Sequence, residues 1–188
     1  MRYLLVSASL FIVCGCSQVN SDRSGTPPPV EVVNYDMLLR KTDDGWLYKG
    51  QPFSGYMVEK ERNGQTVYKL PVLDGRENGL AMGWYNTGEK LLERLFVDGK
   101  KEGPFRQWWP NGKLRYLFQF RNDKYEGIQR VYFPTGKKRE ASTYLAGEQA
   151  GPQRVWDETG KLVSNYTIRN GRTYGIVSIK SCLPVGHL

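Results

Sequence analysis

Arg106, Arg130 and Arg154 recur every 24 residues, and two places after each stands an aromatic residue, Trp108, Tyr132 or Trp156, with Trp84 one period earlier. Residues two apart on a strand share a face, so guanidinium groups and rings would line one surface. Equivalent residues of successive hairpins lie about 10 Å apart by sheet spacing, comparable with a screening length of about 8 Å. No acid recurs in register with the arginines. Such a row can attract an anionic surface, either phospholipid headgroups or an acidic glycan. It can also brace the neighbouring rings by cation–π contact. The rings themselves admit two readings: a stacking platform for sugars or aromatic side chains of a partner, or cross-strand pairs, at roughly 0.2–1 kcal/mol each, holding together a sheet with no opposing layer.

Catalytic chemistry finds no support. The one histidine, His187, sits in the last two residues, and no Ser-His-Asp set, metal-ligand cluster or phosphate loop is present. Asp43-Asp44 and Asp157-Glu158 fall in turns, where acids serve solvation, and no carboxylate pair is singled out for general base work. The sequence predicts a non-enzyme without cofactor or metal.

The residues that position the arginines are glycines. Gly55, Gly79, Gly103, Gly127, Gly151 and Gly175 keep the 24-residue period, and Gly64, Gly88, Gly112, Gly136 and Gly160 follow nine residues behind. A fixed period of this length marks a repeat array. In the stretch from Gly79 to Glu102 the chain reads as strand, Asn86-Thr87-Gly88 turn, second strand, then Asp98-Gly99 turn. Glycine after Asn or Thr supplies the positive φ of a tight hairpin. Val72, Phe96, Phe120, Tyr144 and Ile168 form a further apolar column. The spacing predicts an all-β fold, an elongated and twisted antiparallel β-meander of 24-residue hairpins.

These units resemble the MORN family, in its bacterial variant. The resemblance rests on Tyr125-Glu126-Gly127 with Tyr132, Lys101-Glu102-Gly103 with Trp108, and Asn78-Gly79-Leu80 with Trp84, and less closely on Ala150-Gly151-Pro152 with Trp156. It covers about Gly45 to Ile179. It implies a hairpin sheet and the membrane association, scaffolding and protein partners linked to that family, with no residue signature to carry over.

At the N-terminus, Arg2 precedes the apolar run Tyr3 to Val13, too short to span a bilayer and built like a secretory signal. Val13-Cys14-Gly15-Cys16 resembles the lipobox of bacterial lipoproteins, which implies cleavage before Cys16 and acylation of its thiol; an ordinary signal peptide is the plainer alternative. Two or three acyl chains anchor a protein stably. Ser17 after the cysteine favours the outer over the inner membrane by the same resemblance. Loss of Arg2 would lower the formal charge from +8 to +7. Cys182 would then be the single free cysteine, leaving no disulfide framework. The organisation expected is a signal peptide (1–15), a lipidated Cys16 and Pro-rich tether (16–29), lead-in strands (30–54), five repeats (55–174), and a partial repeat and tail (175–188). Within the lead-in segment, Val30 to Val33 is expected to cover one sheet edge and Tyr35 to Arg40 to form a helical turn.

Function follows as a non-catalytic interaction surface of the cell envelope: a protein scaffold, or a direct binder of anionic lipid headgroups or acidic polysaccharide through the Arg/Trp face. Export argues against nucleic acid despite the basic charge.

Overall fold

The computed structural model describes residues 30–33 and 36–177. Cys16 with its signal and tether, together with Cys182 and His187, lies outside the described residues. Every regular element described is a strand. The first four are β1 (Glu31–Val33), β2 (Leu39–Thr42), β3 (Gly45–Tyr48) and β4 (Gln51–Pro52). The repeats contribute β5 (Gly55–Lys60), β6 (Thr66–Leu73), β7 (Arg76–Glu77), β8 (Gly79–Trp84), β9 (Lys90–Val97), β10 (Lys100–Trp108) and β11 (Leu114–Arg121). They continue as β12 (Lys124–Tyr125), β13 (Gly127–Tyr132), β14 (Lys138–Leu145), β15 (Glu148–Trp156), β16 (Leu162–Arg169) and β17 (Arg172–Ile176).

Fourteen strands form one sheet, an antiparallel meander from β5 to β17 with β1 added in parallel along β5. The first residues thus cover the N-terminal edge as expected, although the parallel pairing makes the sheet mixed. No helical turn forms among residues 36–40: Met37 and Leu38 make a tight turn, closed by the Leu39 amide on Asp36 O at 3.0 Å and braced by the Leu38 amide on Asp36 Oδ1 at 2.9 Å, and Leu39 already begins β2. Strands β2, β3 and β4 make a second, three-stranded sheet.

Two kinds of turn alternate along the meander. Within each hairpin a five-residue loop closes with Gly88 N on Tyr85 O at 2.8 Å, or Gly112 N on Trp109 O at 2.9 Å, and the glycine takes positive φ (98° and 76°). Between hairpins both turn residues lie at positive φ, as in Asp98-Gly99 (48° and 81°) and Asn122-Asp123 (48° and 66°). That is the two-residue turn whose twist matches the strands it joins.

The first glycine of each repeat faces the apolar column directly: Gly55↔Val72, Gly79↔Phe96, Gly103↔Phe120, Gly127↔Tyr144 and Gly151↔Ile168 are strand partners. The large side chain covers backbone that its bare partner leaves open. These columns define one face of the sheet, here termed the ladder face. On it the three-stranded sheet packs over the first repeats, burying Leu39 and Phe53 with Met57, Leu70, Val72 and Ala81, flanked by Trp46, Tyr68 and Phe96. The sheet is therefore not single-layered throughout, as the sequence suggests; a second layer supplies the main core. Further along, Phe105, Phe118, Phe120, Tyr125 and Tyr144 continue the ladder with ring centroids 4.8–6.0 Å apart. The sequence reading put cross-strand cohesion in the tryptophan column; the ring ladder that forms lies on the opposite face.

Candidate functional site

The opposite face carries the arginines. Arg106 lies between Glu93 of β9 and Leu117 of β11, Arg130 between Leu117 and Ala141, and Arg154 between Ala141 and Asn165. Strand pairing thus strings the three guanidinium side chains across one surface. Each hairpin bulges once near its turn. The extra residue sits on the second strand, where Trp108 pairs with Leu114 while Gln107 pairs with Tyr116, so Arg115 is skipped. The first strand keeps its alternation, and the aromatic residue two places after each arginine shares its face. Lys90 locates the group: its Nζ lies 5.3 Å from the Trp108 ring and 2.5 Å from Glu93, which is itself 3.8 Å from Arg106.

Two details differ from the sequence expectation. Arg106 does have an acid in register, Glu93; among the described residues Arg130 and Arg154 have none. The mismatch arises because Glu93 sits on the neighbouring hairpin's second strand, 13 positions upstream, where no column repeats it. Nor do the arginines brace the tryptophans. The cation over Trp108 is Lys90, and Trp109 on the ladder side is covered by Arg115 at 4.3 Å. Trp84, Trp108, Tyr132 and Trp156 are all half-buried, whereas Arg106 and Arg154 are exposed and Arg130 is half-buried.

A third stripe completes the surface. One residue after each repeat glycine stand Leu80, Pro104, Ile128 and Pro152, on the arginine face because each lies two before Met82 or an arginine. Leu80 and Ile128 are 43% and 42% exposed. Parallel apolar, cationic and aromatic stripes therefore run across the strands of one face.

Several residues that hold this surface escape the sequence reading. Ser54, Asn78, Glu102 and Glu126 stand just before the repeat glycines, and each accepts a hydrogen bond from the backbone amide 20 residues on: Asp74, Asp98, Asn122 and Ala146, at 2.8–3.2 Å. Those amides belong to residues forced to positive φ, so the side chain fixes the turn that sets the repeat spacing. A column of acceptors in otherwise different residues is the signal that could have found them. Tyr85 Oη and Trp109 Nε1 donate to the carbonyls of Trp108 and Tyr132 in the following repeat, at 2.8 and 3.1 Å. On the ladder face, Arg94 lies against Phe105 at 4.3 Å with Tyr68 and Tyr125 nearby. Burial pushes its guanidinium pKa below the ordinary value, partly opposed by the two phenols.

No three His, Cys, Asp or Glu residues gather into a metal-holding group among the described residues. Residues 101–122 and 125–146 match the family model of the MORN repeat variant. The matches fall on β10–β11 and β13–β14, the hairpins of Arg106 with Trp108 and of Arg130 with Tyr132, and they support a MORN-repeat protein. No curated protein matches the chain.

Proposed function

We propose that this chain is a non-catalytic, lipid-anchored protein of the cell envelope whose arginine face is a docking surface for a protein partner. MORN repeats generally serve as interaction modules for proteins and membranes and are non-enzymatic. The observation that carries the protein reading is the stripe of exposed Leu80, Pro152 and Ile128 beside Arg106, Arg130 and Arg154 and the Trp84, Trp108, Tyr132 and Trp156 column. Apolar anchors, arginine and aromatic rings are the residue types that dominate binding energy at protein interfaces. The anchor is assigned to Cys16, with the outer membrane preferred over the inner.

A second reading, binding of anionic lipid headgroups or acidic polysaccharide, draws on Arg130 and Arg154, which lack acids in contact among the described residues. One experiment separates the two. The Arg106→Gln/Arg130→Gln/Arg154→Gln chain and an Ile128→Ser chain are compared with wild type for capture of envelope proteins and for sedimentation with anionic vesicles or acidic glycan. The protein reading expects capture of a defined partner that both variants weaken. The anionic reading expects vesicle or glycan binding that the triple variant abolishes, that Ile128→Ser leaves intact, and that falls steeply from low to physiological salt. Partner capture indifferent to both variants would remove the arginine face from the function.

A further inference from the structure

A cleft opens at the turn end of the first two repeats, away from the arginine stripe. Position four of the repeat holds Glu59, Gln107, Val131 and Val155, but Gly83 in the second repeat. Gly83 pairs with Tyr68 and Leu92, its strand neighbours on the ladder face. A Cβ placed there would stand 3.0 Å from Leu92 Cγ and 3.5 Å from the Tyr68 ring. Leu92 and Tyr68 close over the bare backbone, and the cleft opens beside them toward the hairpin turn. Its volume is about 360 Å³, and Glu59, Glu61, Tyr68, Gly83, Trp84 and Tyr85 are among its lining residues.

The wall chemistry is distinctive for a chain of formal charge +8. Glu59 and Glu61 are exposed carboxylates, and neither takes part in an ion pair among the described residues. Glu59 is the strand partner of Tyr68, so the acid and the phenol ring share the ladder face. Tyr85 is fixed from both ends: its hydroxyl donates to Trp108 O at 2.8 Å, and its own carbonyl accepts from Gln65 Nε2 at 3.5 Å. Two cations act on the cleft's rings without lining it: Arg94, whose charge reaches Tyr68 while its guanidinium lies against Phe105 at 4.3 Å, and Arg115, whose charge reaches Tyr85 while its guanidinium lies over Trp109 at 4.3 Å. Carboxylates beside aromatic residues in a concave site of this size select a cation whose carbon substituents can pack on rings while its charge meets the acids.

We propose that this cleft binds an organic cation, an alkylammonium or guanidinium group, presented either by a free amine or by a lysine or arginine side chain of a partner protein. The site lies on the ladder face, apart from Arg106, Arg130 and Arg154, shares only Trp84 with the aromatic column of the arginine face, and does not depend on the function assigned to that face.

The test is calorimetric titration of the full chain with tetramethylammonium, n-butylammonium, and a capped peptide bearing one arginine, against neutral 3,3-dimethylbutanol as a control. The expected result is binding of the cations with a dissociation constant on the order of millimolar, and none of the alcohol. Glu59→Gln/Glu61→Gln should weaken it roughly fivefold to tenfold, and both positions are exposed, so the fold survives. The Arg106→Gln/Arg130→Gln/Arg154→Gln chain should bind unchanged. Tighter binding of the peptide than of the free amines assigns the cation to a partner protein; equal or weaker binding assigns it to a free amine. Absence of cation binding to the wild type, or full affinity in the double glutamine variant, overturns the proposal.

Discussion

Gln129 repairs the backbone of Gln119. Its Oε1 accepts from the Gln119 amide at 2.7 Å, and its Nε2 donates to the Gln119 carbonyl at 3.2 Å. The strand ladder between β11 and β13 comprises two residue pairs, Tyr116↔Val131 and Leu117↔Arg130. Past them the strands splay, and a side chain takes the place of the missing strand. Gln153 occupies the same position one repeat on, but there only its Nε2 bonds, to Thr143 O at 2.9 Å and to Ala150 O and Gly151 O at 3.3 and 3.4 Å, while its buried Oε1 has no partner. Gln129→Leu, close in volume, strands an amide and a carbonyl and should destabilise by about 1–3 kcal/mol. Gln153→Leu removes the Nε2 bonds but also an orphaned oxygen, and it strands no backbone amide, so it should cost clearly less. Denaturant melts of the two variants decide the order, and equal losses would mean the seam does not rely on these glutamines.

The glycines admit a second comparison. Gly112 lies at φ 76° with nothing within 4 Å of a would-be Cβ, so a side chain there meets strain and no clash. Gly112→Val should destabilise by roughly 1–3 kcal/mol, and Gly112→Asn by much less, since asparagine tolerates this region. Gly83 stands inside a strand and outside the repeating glycine columns, where a side chain would be expected to fit. Its geometry says otherwise, because the added carbon presses on Leu92 at 3.0 Å, and overpacking typically costs 1–3 kcal/mol. Gly83→Asn should find no such relief. Thermal melts that show asparagine rescuing both sites, or neither, would contradict this division between strain and clash.

Much of the fold was legible because the period fixes it. Repeating glycines specify turns, turns specify hairpins, and alternation then places Arg106 with Trp108 on one face. What stayed hidden depends on contacts that no column records. Glu93 meets Arg106 across two hairpins, and Lys90 rather than an arginine covers Trp108. The bulge that skips Arg115 turns that residue onto Trp109. The second layer was hidden for a similar reason: Leu39, Trp46 and Phe53 precede the periodic region, and nothing in their spacing says which face of the repeats they cover. The cleft is lined where the first repeats depart from the pattern, by Glu59, Glu61 and Gly83, which a search for regularity passes over.

The proposed anchor has its own test. Lipidation at Cys16 predicts that Cys16→Ala accumulates as an unprocessed precursor and incorporates no labelled fatty acid, whereas Cys14→Ala is processed normally. Fatty-acid labelling followed by mass measurement of the mature N-terminus reads both. Normal acylation of the Cys16→Ala chain would remove the lipid anchor from the proposed function.

Glu77 ties the two sheets together and makes their union sensitive to acid. Its Oε1 accepts from Trp46 Nε1 at 2.9 Å and from Lys41 Nζ at 3.3 Å, both on β2–β3, while its own carbonyl accepts from Gly99 N at 2.8 Å in the main sheet. Burial alone would raise its pKa, but the bonds from Trp46, its own backbone amide and Lys41 together outweigh that effect and hold the carboxyl below its ordinary value. A carboxylate with a lowered folded pKa stabilises the native state above the unfolded pKa, about 4.3 for glutamate. That stabilisation is lost as pH falls through the lower folded value. The thermal midpoint should therefore drop as pH is lowered from about 5, with the indole of Trp46 reporting separation of the small sheet. Glu77→Gln should lower the midpoint near neutral pH, since the Lys41 pair is lost, and should flatten the acid limb relative to wild type. An acid limb as steep in Glu77→Gln as in wild type would assign the pH dependence to other carboxylates.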